Sequence, residues 1–285
     1  MQGSYGRVSW GIQGAQGTAA VAYSMPGIVS RFAPRIKGGV EAVESVGDWS
    51  PAEISEGMTS FEASLSIDGI EEWLLIEQAF RSGAGLLPWL SFKFGYDKAA
   101  DEMLYTAIDN KCDSITLKCD AGGKFTADLS FLGGKVTKAA SAPAAQTFFG
   151  SRLYKWYNLT WDEAFDLYGF EITYKNNLSM DPVIAGSGTT RDPDRVWDFM
   201  DEGQISVSGT LRYRLSNIGL DVQDCIITSG DHTLTIAACS DVSPSQAASI
   251  SITGLKPVDE SLDIPARGNI VVEVPFLATD LSISD

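Results

Sequence analysis

Few residues in this chain have types and spacings that could do chemistry. Cys112 and Cys119 bracket Ser114–Lys118, a run that alternates polar and apolar residues as a half-buried strand does. Their separation of seven is odd. In a continuous strand they lie on opposite faces and can share neither a metal nor a disulfide. Cys225 and Cys239 are fourteen apart, and no C-x-x-C pair occurs; this fits reduced thiols. The single histidine, His232, follows Ser229-Gly230-Asp231 and reads as a turn residue at the head of a strand. A Ser–His–Asp triad would have to use it, and no G-x-S-x-G elbow supplies a nucleophile. The sequence has no P-loop, dinucleotide fingerprint or H-E-x-x-H.

The acids are more abundant than organised. Asp192–Gly203, "DPDRVWDFMDEG", invites a calcium reading but lacks the central Gly and terminal Glu of an EF-hand loop. A two-carboxylate hydrolase stays open, although nothing singles out a pair. Trp156, Tyr157 and Trp161 form the densest aromatic group, suited to a sugar platform or to packing of a linker. Arg212 and Arg214 alternate with Leu211, Tyr213 and Leu215, which puts both on one strand face. They are candidate contacts to an acidic neighbouring subunit, with an ordinary solvent face as the alternative.

Strands must position these residues. Alternation predicts Arg7–Gln13, Ile36–Val46, Thr59–Ile67, Leu90–Tyr96, Ser114–Cys119 and Lys124–Leu132 in the first half. In the second half it predicts Gly169–Lys175, Gln204–Leu215, Thr233–Cys239, Ser249–Leu255 and Asn269–Leu277. Gly122-Gly123 predicts the turn of a hairpin. Ile70–Phe80 has nearly helical spacing, with Asp68 as N-cap and Glu71 three on. Thr160–Phe165 predicts a second, short helical turn.

Ala139–Gln146, "AASAPAAQ", reads as a linker, giving domains 1–138 and 151–285 with 139–150 between. The halves look alike. Glu56-Gly57 and Glu202-Gly203 open similar runs 146 apart, and "LSFL" at Leu129 and "VPFL" at Val274 lie 145 apart. Agreement of the two offsets suggests a duplicated domain.

The net charge is −16, which disfavours binding of nucleic acid or an anionic membrane through a basic patch. Residues 1–145 carry 12 basic and 17 acidic side chains, and residues 146–285 carry 9 and 20. The excess of acid is therefore greater in the second half. No apolar run reaches transmembrane length, and Met1–Gly6 has no basic or apolar signal region. Synthesis in a cytoplasm is expected.

In order along the chain, several segments resemble the major tail tube proteins of long-tailed (siphovirus) phages. They are "YGRVSWGIQGAQGTAA", "EGMTSFEASLSIDGIEEWLL", "CDSITLKCDAGGKFTADLSFLGGKV", the strand–loop–strand from Phe170 to Leu211 and "ARGNIVVEVPFLA". The second half departs from the pattern in having no counterpart of the helix after Asn217. The resemblance implies a mainly β protein of two tandem β-sandwich or barrel domains. Each has a long hairpin, and at least the first has a flanking helix. It implies a structural virion protein without enzymatic activity or cofactor. Subunits would stack as rings, as trimers with pseudo-sixfold symmetry for a duplicated chain, into a conduit for DNA at ejection. Expected partners are further copies and the tape measure, tail terminator and tail-tip proteins, with no membrane contact. DNA would pass without specific binding. Candidate lumen-lining acids are Glu41, Glu44, Asp48, Glu53 and Glu56, and Asp192, Asp194, Asp198, Asp201 and Glu202. The alternative is a two-domain β-sandwich module of a virion that binds a receptor or carbohydrate.

Overall fold

The computed structural model describes residues 6–43, 53–68, 74–81, 85–96, 103–138, 155–161, 167–181, 199–214, 232–239, 247–259, 261–263 and 271–284. These residues are mainly β. The first half holds β1 (Gly6–Ile12), β2 (Ile28–Val43), β3 (Glu53–Asp68), β4 (Leu90–Tyr96), β5 (Met103–Asp120) and β6 (Thr126–Lys138). The second half begins with β7 (Leu159–Trp161), β8 (Leu167–Lys175), β9 (Leu178–Asp181), β10 (Phe199–Glu202) and β11 (Ser206–Arg214). It ends with β12 (His232–Cys239), β13 (Ala247–Pro257), β14 (Ser261–Asp263), β15 (Val271–Ala278) and β16 (Asp280–Ser284).

Alternation works as a burial code in most strands. In β6, Ala127, Leu129 and Phe131 are buried, while Asp128 and Ser130 face the other way. The β5–β6 hairpin turns through Gly122, whose φ of +84° suits glycine. The Gly123 N–H donates to the Asp120 carbonyl at 2.8 Å.

Strand β5 is not continuous. Its register against β6 shifts between Cys112 and Ser114, and such a bulge reverses which residues face inward. Cys112 and Cys119 therefore both enter the core beside Ile115 and Leu117. The expectation of opposite faces fails because it assumed an unbroken ladder. Both thiols are free. Burial, aided by the charge of Asp120, pushes Cys119 up to about 11. Burial and the neighbouring Asp113 raise Cys112 still further.

One helical expectation changes, and a second lies mostly outside the described residues. The first helix is α1 (Leu74–Glu77), with Leu75 and Ile76 buried; residues 69–73 lie outside the described residues. Asp68 ends β3 and pairs with Lys124. Thr160, expected to cap a helical turn, belongs to β7 and faces Ala237 of β12. Residues 162–166, which would carry the rest of that turn, lie outside the described residues.

In the first half the strands lie in the order β2-β3-β6-β5-β4-β1, and in the second β8-β11-β15-β13-β12-β7. Each position along one path has its counterpart in the other. The registers repeat too. Lys111 faces Leu132, and Lys256 faces Leu277, each 145 positions on. Leu65 faces Leu129, and Leu211 faces Val274, 146 and 145 positions on. Glu56 faces Val40, and Glu202 faces Leu178. The halves join where β5 pairs with β8, from Ser114↔Lys175 to Asp120↔Gly169. Among the described residues one core cluster then runs from Val8 through Phe131 and Tyr174 to Leu281, and Tyr213, Val272 and Val274 form a second, smaller one.

Candidate functional site

The β5–β8 seam is the most densely bonded feature between the halves. Asn176, directly after β8, donates through its side chain to the carbonyls of Ala79 and Cys112, both at 2.9 Å. Its own N–H donates to Asp113 at 2.7 Å. The carboxylate of Asp113 accepts from the Leu178 N–H at 2.9 Å. On the polar face of the seam, the hydroxyls of Thr116 and Thr173 bond at 3.0 Å, and Lys118 lies 3.3 Å from Glu171.

At one end of the seam is a buried ionic cluster. The Glu202 carboxylate lies 2.6 Å from Lys111 Nζ and 3.1 Å from Arg81 Nε. It also accepts from the Leu87 N–H at 3.0 Å. Lys111 and Glu202 side chains are each 5% exposed. Lys111 Nζ also sits 4.1 Å from the centre of the Trp89 ring, a second favourable site for its charge. Charges this deep persist only when paired and hydrogen-bonded. The cluster therefore fixes the second half on the first.

Glu202 thus leaves the set of candidate lumen acids, because its carboxylate is enclosed between two cations of its own chain. Glu41 lies on β2, and Glu53 and Glu56 on β3; Asp201 lies on β10 and is exposed. Glu44, Asp48, Asp192, Asp194 and Asp198 lie outside the described residues. Strand β11 lies between β8 and β15 and is no edge, and Arg212 pairs with Asp120 of its own chain. Arg214 ends the same strand opposite Val271.

Sequence reasoning missed Lys111, Arg81 and Asn176. The repeated Glu-Gly was visible, but its partners are 91 and 121 residues away from Glu202 (202 − 111, 202 − 81). No local signal was available for Lys111, which stands in the polar run Asp109-Asn110-Lys111.

The aromatic group is partly open. Trp156 and Tyr157 are about half exposed and meet edge to face at 5.9 Å. With Trp161, Tyr168 and Asp120 they line a shallow pocket. His232 opens β12 opposite Leu255. Among the described residues no three His, Cys, Asp or Glu side chains group as metal ligands. No described helix is long and apolar enough to cross a membrane.

This architecture defines a class: an antiparallel β protein with one strand order repeated, its halves joined edge to edge. The chain belongs to the phage tail tube protein family, whose model matches residues 3–276, nearly its whole length. It is a structural component of a phage virion tail. No curated protein matches the chain.

Proposed function

We propose that the chain is the major tail tube subunit of a long-tailed phage, with 1–138 and 151–285 as its two tube domains. Copies assemble into rings of three chains with pseudo-sixfold symmetry. The rings stack into the conduit through which DNA leaves the capsid. The observation that carries this reading is the β5–β8 seam: one half of the chain already adds to the sheet of the other as one subunit would add to the next. The protein has no enzymatic role and works through its edges and its bore. Its partners are further copies and the tape measure, terminator and tail-tip proteins.

Glu41, Glu44, Asp48, Glu53, Asp192, Asp194, Asp198 and Asp201 are proposed to face the bore. Carboxylates there would repel phosphates and keep the duplex from sticking. Electron microscopy of the purified chain at several salt concentrations tests the assembly. Rings or hollow filaments are expected. Compact monomers that persist after tail-tip proteins are added would overturn it. Reversal of several of these acids to Lys should leave tubes intact and slow ejection; unchanged ejection would place the acids elsewhere.

The exposed Trp156–Tyr157 pair favours a second reading, a carbohydrate-binding module of the virion. A glycan screen decides it: binding that is lost in Trp156→Ala would support this reading over the first.

A further inference from the structure

The seam inside the chain has a counterpart that stays open among the described strands. Thr116, Leu117 and Lys118 of β5 face Asp128, Ala127 and Thr126 of β6 on one side, and take β8 on the other. Moved on by 145, they become Ser261, Leu262 and Asp263 of β14, which face Glu273, Val272 and Val271 of β15. Among the described strands β14 pairs with β15 alone. The counterpart of Gly169–Lys175 is Arg31–Lys37 of β2, 138 positions earlier. Arg31 faces Ser66 as Gly169 faces Arg212, and Lys37 faces Ser60 as Lys175 faces Ser206. Strand β2 ends the sheet.

We propose that β14 of one copy pairs antiparallel with β2 of the next copy in the register of the internal seam. Ser261 then lies opposite Arg35, Leu262 opposite Pro34, Asp263 opposite Ala33 and Asp259 opposite Lys37. At the end of this seam Lys256 of one copy closes on Glu56 of the next, as Lys111 closes on Glu202 within the chain. The inference rests on the tube reading and adds the residues that join one chain to another.

Three observations support it. The first is the exact repeat of the ionic pair: Lys256 occupies the register position of Lys111, and Glu56 that of Glu202. Lys111 is buried because the second half covers it, whereas Lys256 is exposed. The second is charge. The β2 edge carries Arg31, Arg35 and Lys37, the last paired with Glu62 of its own chain, and the opposing segment carries Asp259 and Asp263. In this register Arg35 lies diagonal to both acids, within reach of a long side chain. The third is Ile36, an apolar residue 52% exposed on the β2 edge. Pro34 has no N–H, so one rung of the ladder is missing. Edge strands tolerate such a gap, and Phe32 and Ile36 keep their donors on that side.

Asn176 donates to Asp113, and the Ala121 N–H to Tyr168. By alternation, Thr116 and Thr173 form a non-hydrogen-bonded pair, whose Cα atoms lie about 4.5 Å apart. Arg35 and Ser261 inherit that spacing, which suits a disulfide. The test is the full chain carrying Arg35→Cys and Ser261→Cys, mildly oxidised, beside each single variant, with electron microscopy of the same samples. The double variant should give chains linked end to end on a non-reducing gel, and the single variants should not. Assembled particles without that link, or equal linking in a single variant, would overturn this register and leave the tube reading standing. Neither particles nor links would overturn both. As an independent arm, Lys256→Glu or Glu56→Lys alone should raise the concentration for half-assembly by about tenfold or more. The combined reversal should restore it; failure to restore assembly would remove the ionic pair from the proposal.

Discussion

Lys111 and Glu202, 91 residues apart in sequence, meet at 2.6 Å with both side chains almost fully enclosed. Arg81 completes the cluster from the same half as Lys111. Two cations thus hold one carboxylate, and the consequences of removing each member differ.

Glu202→Gln leaves Lys111 and Arg81 buried without an acid. A loss of about 3–5 kcal/mol in unfolding free energy is expected. Lys111→Met should cost distinctly less, because Arg81 still balances Glu202 and the Met chain fills the space over Trp89. Urea denaturation of the two variants measures the order. A milder effect of Glu202→Gln would show that the carboxylate is not what holds the two cations.

Asn176→Ala removes two side-chain hydrogen bonds and strands the carbonyls of Ala79 and Cys112. Each buried orphan costs about 1–3 kcal/mol, so the variant should be among the most damaging polar changes in the chain. Loss of protection at the β5–β8 seam in hydrogen exchange would localise the damage.

Arg212 and Asp120 pair on the polar face, with side chains 32% and 44% exposed. Such a pair contributes about 0–1 kcal/mol and weakens with salt. Arg212→Ala should therefore change stability little and leave assembly intact. A loss of assembly would restore Arg212 to the subunit contact.

The thiol of Cys119 is held neutral up to about 11, above the about 8.5 of an unfolded cysteine. The raised value means the folded chain keeps a proton that the unfolded chain gives up. The contribution is complete below the unfolded value and is lost as pH rises through the folded one. Denaturation midpoints should fall between about pH 8.5 and pH 11, and less steeply in Cys119→Ser. Peptide mapping after alkylation at neutral pH should find Cys112 and Cys119 unmodified in the folded protein.

Much of the fold was legible because strand burial has a period of two. The limits predicted for Leu90–Tyr96 match β4, and Phe125, Ala127, Leu129 and Phe131 are the inward residues of the hairpin. The Glu-Gly repeat and its offset were legible too, and Glu56 and Glu202 hold matching register positions opposite Val40 and Leu178. Other features depended on contacts that no local pattern encodes. The bulge at Asp113 reverses the face of Cys112, and β12 draws Leu159–Trp161 into a strand.

The candidate site divides along the same line. The sequence by itself determined that this is an acidic, mainly β protein with a repeated Glu-Gly run, because alternation, composition and repeat spacing are local or additive properties of the chain. Only the tertiary structure decided that Glu202 is paired and where β2 and β14 stand among the described strands. Glu56 and Glu202 are alike in sequence, and nothing in the repeat itself shows that Glu202 is enclosed, which happens because β5 and β8 meet within one chain. Ion pairing and edge pairing depend on strands distant in sequence coming together, and the meeting of β5 with β8 is set by the packing of both halves on one core.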